Sequence, residues 1–230
     1  TYSIDISSTN GEGSVGFEFN NATRTTQFIV SVEFRNKQIT EATLKVIKDS
    51  KLMTDQSIAT NLEEAINPEG RLILQMLGSG FVLYHQKEGL PIAIGQNDFN
   101  KYLDLREKKY IHSLQASIYI GLNNANVQIK KAAVALTTGI GLADIRAITY
   151  ENGDPYLDQD RLWYTMSIRG RALPHHLQGV FSMNPSVFDV KLEGVILFDR
   201  NDGLLRNEIA SHIYFDRNEK IWRGLLHWFY

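Results

Sequence analysis

Residues 14–19 read Ser-Val-Gly-Phe-Glu-Phe, and residues 27–34 read Gln-Phe-Ile-Val-Ser-Val-Glu-Phe. Val15, Phe17 and Phe19 occupy alternate positions in the first stretch; Phe28, Val30, Val32 and Phe34 do so in the second. Successive side chains of an extended strand point to opposite faces, so this period of two gives each segment one apolar face. Residues 43–47 (TLKVI) repeat the pattern. Half-buried antiparallel strands and an all-β fold follow. Working outward, residues 71–77 and 80–84 predict a hairpin about Gly78-Ser79-Gly80, after a turn at Asn67-Pro68-Glu69-Gly70. Residues 112–121 and 126–136 predict two further strands, residues 54–66 have room for one or two helical turns, and the charged stretch 101–109 is expected at the surface. Short strands separated by Gly and Asn turns predict an antiparallel β-sandwich over residues 1–138.

Composition narrows the function. The chain has 230 residues, 43% of them apolar and 22% charged, enough for a core without covalent staples. Its 24 basic residues against 26 acidic ones give no polyanion-binding surface, so nucleic acid is not an expected partner. No apolar run approaches the ~20 residues of a membrane-crossing helix. The absence of cysteine excludes disulfides, thiolate catalysis and Cys-ligated metal. Phosphate-binding glycine loops, a His-Glu-x-x-His pair and a Gly-x-Ser-x-Gly elbow are also missing, so no cofactor is expected.

After Thr-Thr-Gly-Ile-Gly at residues 137–141 the pattern changes. Residues 161–167, 176–182, 191–198, 209–215 and 220–230 read as short strands between Asp- and Asn-rich turns, the spacing of a meander such as a propeller blade. Within them, residues 152–167 read NGDPYLDQDRLWYTMS and residues 179–200 read GVFSMNPSVFDVKLEGVILFDR. Asp154-Pro155-Tyr156 precedes the strand read at 161–167, which contains Trp163-Tyr164, and Ser182-Met183-Asn184-Pro185-Ser186 ends and follows the strand read at 176–182. Residues 208–216 and 220–225 then look like the first two strands of a next blade. This order resembles the blades of five-bladed propeller glycosidases, glycoside hydrolase family 43 and its relatives, over residues 144–230. The resemblance implies that residues 139–230 form the first blades of a β-propeller-like domain. Two blades cannot close a ring and would leave an open edge, which departs from the family and predicts a piece of a longer chain. The start at Thr1 and the apolar ending Trp228-Phe229-Tyr230 predict the same.

Glycoside hydrolysis needs one carboxyl to protonate the leaving oxygen and another to activate water or attack carbon. By resemblance, Asp154 stands where the family carries its base, Asp144 competes for that role, and Glu208 lies near the place of an auxiliary carboxylate. The family's general acid belongs to a later blade. Arg146, Arg169, Arg171, His175, His176 and Trp163 are the candidate substrate-binding residues, since an arginine fork grips hydroxyls or carboxylates in two places. Neighbours on a strand face opposite ways, so His175 and His176 do not predict a shared metal. Each assignment has a structural alternative. Asp154 is a natural turn residue, Glu208 can pair with Arg206, Asp144 with Arg146, and the Arg/His stretch can be a solvated loop. Trp163, Trp222 and Trp228 can stack on sugars or fill the spaces between blades. The favoured reading is a glycoside hydrolase, or a piece of one, acting on an oligo- or polysaccharide and exported by a bacterium to the periplasm or the exterior. The alternative is a non-catalytic module binding carbohydrate or protein.

Overall fold

The computed structural model describes residues 1–60, 62, 65–139, 141–170, 176–206 and 209–227. The protein is all-β, and the chain divides into two compact units, Thr1–Ala135 and Leu136–Tyr230. No helix among the described residues is long and apolar enough to cross a membrane.

The first unit is one antiparallel sheet of eight strands: β1 (Tyr2–Asn20), β2 (Gln27–Arg35), β3 (Gln38–Lys48), β4 (Lys51–Ser57), β5 (Gly70–Leu77), β6 (Gly80–Gln86), β7 (Ile92–Asp98) and β8 (Gln115–Val134), with a short helix α1 (Lys108–Ser113) before the last. β1 pairs with β8 from Tyr2 to Asn20 along one edge. Its other edge is divided: residues 12–20 pair with β2 and residues 2–6 with β5. Two wings, β2-β3-β4 and β5-β6-β7, therefore spring from the same edge of one strand. The segment after β4 ties them together: the Ile58 amide donates to the Ala42 carbonyl at 2.8 Å, and the Gln96 amide donates to the Ile58 carbonyl at 3.2 Å. The sheet curls into a half-barrel around its core.

That core is the apolar face read from the alternation. Val15, Phe17, Phe19, Phe28, Val30, Val32 and Phe34 are all buried. Phe28 stacks on Phe19 with centroids 4.4 Å apart and meets Phe99 at 4.6 Å. Gly16 lets β1 and β2 approach: a Cβ there would stand 2.2 Å from the Val30 carbonyl oxygen.

Three expectations need correction. Residues 51–57 are strand β4, not helical turns, because they extend the β3 ladder from Lys48↔Lys51 to Thr43↔Ser57. Leu103 is buried, so the stretch 101–109 contributes an anchor to the core as well as surface charge. The two strands expected at 112–121 and 126–136 are one strand, β8, because Asn124 takes a left-handed conformation (φ 51°) and is absorbed as a bulge.

The second unit holds β9 (Gly141–Ala147), β10 (Thr149–Tyr150), β11 (Leu157–Asp158), β12 (Arg161–Arg169), β13 (His176–Asn184), β14 (Asp189–Ile196), β15 (Phe198–Asp199), β16 (Leu205–Arg206), β17 (Ile209–Asp216) and β18 (Ile221–His227). β11-β12-β13-β14 is a four-stranded antiparallel meander, and β10-β17-β18 a separate sheet with β10 and β17 parallel. Arg161 fastens the meander: it donates to Ser182 Oγ at 2.7 Å and to the Asp189 carboxylate at 3.0 Å. That guanidinium, with the Asn184 amide, holds the Asp189 carboxyl down at about 2.

Two stability outcomes follow for the first unit. Gly16→Ala must push strand backbones apart and should cost about 1–3 kcal/mol, read as a lower urea midpoint; an unchanged midpoint contradicts the close β1–β2 approach. His85 is buried on β6 with Nε2 3.2 Å from the Glu69 carbonyl. Burial lowers its pKa from the ordinary 6.5, outweighing the carbonyl contacts of Glu69 and Pro68 that raise it. The unfolded chain then binds the proton more readily, so this contribution is present at neutral pH and is lost as pH falls below the ordinary histidine value. Urea midpoints measured at neutral and mildly acidic pH should therefore fall more steeply for the parent than for His85→Gln; equal slopes contradict the assignment.

Candidate functional site

The Asp154 segment is a turn built by its own side chains. Asn152 Oδ1 accepts from the Asp154 amide at 3.2 Å, and Asn152 Nδ2 donates to Asp154 Oδ2 at 2.7 Å. The Tyr150 amide donates to the Asp154 carbonyl at 2.8 Å, and Gly153 supplies the left-handed residue at φ 89°. Asp154 is exposed on this turn, and the backbone leaving it enters β11 after Pro155. The Tyr156 amide donates to the Ile148 carbonyl at 2.8 Å, which turns the Tyr156 ring back over the sheet.

Tyr156 is the hub of an aromatic cluster. Its ring centroid lies 5.3 Å from Tyr150, 5.1 Å from Trp222, 6.5 Å from Trp163 and 6.5 Å from Phe215. Phe215 and Trp222 are 5.0 Å apart, directly paired across β17 and β18. Tilted and edge-on contacts at these separations are the favourable arrangements for aromatic quadrupoles. Burial raises the Tyr156 phenol's pKa, with the Asp158 charge acting in the same direction. Trp222 is 53% exposed, so the cluster opens to solvent on that side.

Charged groups border the cluster. The Arg217 guanidinium lies 4.5 Å from the Tyr150 ring centroid and grips Glu151 with Nε at 3.0 Å and Nη2 at 2.8 Å from Oε1. Arg217 also donates its amide to Glu151 Oε2 at 3.1 Å. Together these hold the Glu151 carboxyl at about 2, so it stays ionised through the neutral range. The Asp154 charge adds to the field that raises the Arg217 pKa, though less than Glu151 does.

The remaining candidates are distributed differently. Asp144 pairs with Arg169 at 3.6 Å rather than with Arg146, and it adopts φ 55°. Arg169 stands directly opposite His176 across β12 and β13, so Asp144, Arg169 and His176 gather at one end of β12. The Asp154 turn reaches the other end, through Tyr156 on Trp163. Trp163 and Arg169 are six residues apart on the strand, a span of about 20 Å at the usual rise. Arg146 is exposed on β9, and Trp163 is half-buried. Glu208, Arg171 and His175 lie outside the described residues. Among the described residues, no group of three or more His, Asp or Glu side chains is placed to hold a metal ion.

Sequence reasoning had Tyr156 and Trp222 separately but not the cluster. Tyr150, Tyr156, Phe215 and Trp222 come from separate stretches, and only the β10–β17–β18 pairing gathers them. The Glu151–Arg217 pair likewise spans 66 residues. Replacing Arg217 by Ala should return the Glu151 carboxyl to the ordinary range near ~4.3, read by NMR titration of its side chain; a titration still near the parent value contradicts the Arg217 cause. Comparison of the chain with protein-family models, curated proteins and solved structures gives no match.

Proposed function

We propose that the chain is a carbohydrate-binding protein whose ligand site is the open aromatic cluster around Tyr156 and Trp222. The observation that carries this reading is the half-exposed Trp222 backed by Tyr156 and Phe215, with Arg217, Glu151 and Asp154 on its border. A pyranose or furanose ring has C–H faces that lie on an indole and hydroxyls that need donors and acceptors at the edge. An aromatic platform with a polar border offers both. Glu151, ionised and held by Arg217, serves as a fixed acceptor; its low pKa suits binding and not proton donation to a leaving oxygen. In this reading the first unit is a sandwich-like partner, the second is blade-like, and an exported location in a bacterium fits a polysaccharide ligand.

A second reading, glycoside hydrolysis, is favoured by one feature. Asp154-Pro155 stands directly before the first strand of the β11-β12-β13-β14 meander, the place of a base on a blade's inner strand. Asp154 would act on water, with its partner carboxyl about 6.5–9.5 Å away for inversion or about 5 Å away for retention.

Affinity electrophoresis in gels containing soluble neutral polysaccharides separates the two readings. The parent should be retarded by at least one, and Trp222→Ala should weaken that binding about tenfold or more, as truncation of an aromatic anchor does. Retardation by none, or by the same gels for parent and variant, contradicts the site. Asp154→Asn keeps the side chain's shape and an acceptor oxygen at the border, so it should lose at most a few-fold in binding, far less than Trp222→Ala. If the parent also releases reducing sugar and Asp154→Asn does not, hydrolysis replaces simple binding as the function.

A further inference from the structure

The first unit carries a feature that sugar binding does not use. β8 runs for 20 residues, and among the described residues its only strand partner is β1. Residues 115–129 contain no charge and no proline. Open edges in proteins that stay monomeric are guarded by lysine, proline or short length, and this one is long and unguarded over most of its span.

The face pattern of β8 says what fits against it. Ile120 and Leu122 lie opposite Val15 and Gly13, on the core side of β1. Ala125, Val127 and Ile129 pack against the core. Ala132 and Val134 lie opposite Ile4 and Tyr2, again on the core side. Between these groups the alternation is interrupted at Asn124 and at Lys130. Within residues 120–134 the core-facing positions 120, 122, 125, 127, 129, 132 and 134 are symmetric about Val127, and so are the two interruptions; Ala116 and Ile118, opposite Phe19 and Phe17, continue the core-facing row beyond that span. The ends of this series are the exposed ones: Ile120 at 46%, Leu122 at 49% and Val134 at 71%.

We infer that β8 is the interface of a twofold dimer of this chain, pairing antiparallel with β8 of a second copy about an axis at Val127. In that register Ile120 meets Val134 of the second copy, Leu122 meets Ala132, and Ala125 meets Ile129. Within residues 120–134 every core-facing residue falls beside another core-facing residue. A slip by one residue would set core-facing positions against outward-facing ones, so the pattern selects one register. Charge agrees with it. Lys130 and Lys131 are the only charged residues of β8. Lys131 of one copy falls opposite Asn123 of the other, whose own neighbour across β1 is Glu12. Glu12, Glu33 and Arg35 line a cleft of about 330 Å³ beside Leu122 and Asn123, with Arg35 Nη2 2.6 Å from Glu12 Oε1. Each lysine thereby arrives beside a cleft with two carboxylates and one guanidinium, where Glu33 leaves the balance acidic, and the twofold repeats the contact. The apolar edges of two copies form one continuous sheet across the axis.

Sedimentation equilibrium on the full chain tests the arrangement. A monomer–dimer equilibrium with no larger species is expected. Ile120→Lys combined with Leu122→Lys should raise the dimer dissociation constant about tenfold or more, with unchanged melting of the monomer because both side chains are exposed. The cysteine-free sequence permits a direct check of register. Opposed residues of an antiparallel pair have Cα atoms about 4.5–5.5 Å apart, within disulfide reach, so Val127→Cys should give a disulfide-linked dimer on mild oxidation. Ser117→Cys should not. Should Val127→Cys fold poorly, the double variant Ile120→Cys with Val134→Cys must cross-link in its place. A parent that stays monomeric into the high micromolar range, growth beyond dimers, or equal cross-linking through position 117 overturns the proposal.

Discussion

One strand bonded on both edges is the constraint on which the first unit depends. β1 gives its whole length to β8 on one side and divides the other between β2 and β5. Two strands cannot share one edge and remain parallel neighbours in a flat sheet, so the wings must diverge and then face each other. The core fills the space between them: Phe28 of one wing, Phe19 of β1 and Phe99 from the segment after β7 stack in sequence. Stacking of this kind needs close strands, and Gly16 provides the approach where β1 meets Val30 and Ser31. The bridge from Ile58 to Ala42 and Gln96 fixes how far the curl closes. β8 is bonded by β1 alone among the described strands; its middle packs against the core while Ile120, Leu122 and Val134 on the same side are exposed.

The second unit is held by a different balance. Its interior includes Met166, Ile168 and Phe181 but also Thr165, Ser167, Gln178, Ser182 and Ser211, all buried. Thr165 Oγ1 donates to the Ser211 carbonyl at 2.7 Å, and the Ser211 amide donates to Gln178 Oε1 at 3.2 Å. These bonds lock β17 onto the meander, since a buried polar group without its partner costs roughly 1–3 kcal/mol. Two hydrogen bonds thus fix β17 on the meander beside the buried apolar side chains, while Ser167 Oγ, Gln178 Nε2 and Ser211 Oγ have no hydrogen-bond partner among the described residues. The aromatic cluster inherits that precision: β17 and β18 carry Phe215 and Trp222 to Tyr156, and β17 delivers Arg217 to Glu151.

The parts legible in the sequence were those written in local periodicity. Alternation in residues 14–19 and 27–34 identified strands and their core faces, because a half-buried strand enforces a period of two regardless of its partner. Asp154 is legible as a turn residue, the alternative to its catalytic reading, but the side chain that accepts from the turn's backbone belongs to Asn152. Pairing across a hundred residues leaves no local mark. Residues 54–66 have room for one or two helical turns on local grounds, yet residues 54–57 end strand β4, whose place is set by the β3 ladder. Asn123-Asn124 looked like a break between strands, but a left-handed residue also makes a bulge, and the choice was made by β1 alongside. At the candidate site, Asp144 was expected with Arg146 two positions away. The fold instead brings Arg169 to it from β12, 25 residues along the chain.

Hydrogen exchange measured amide by amide tests the central role of β1 most directly. If β1 is the doubly bonded spine, the amides of residues 14–19 should be the slowest to exchange in the first unit, opening only with global unfolding, while the outer strand β4 exchanges through local fraying. Exchange of residues 14–19 as fast as that of β4 would contradict the account.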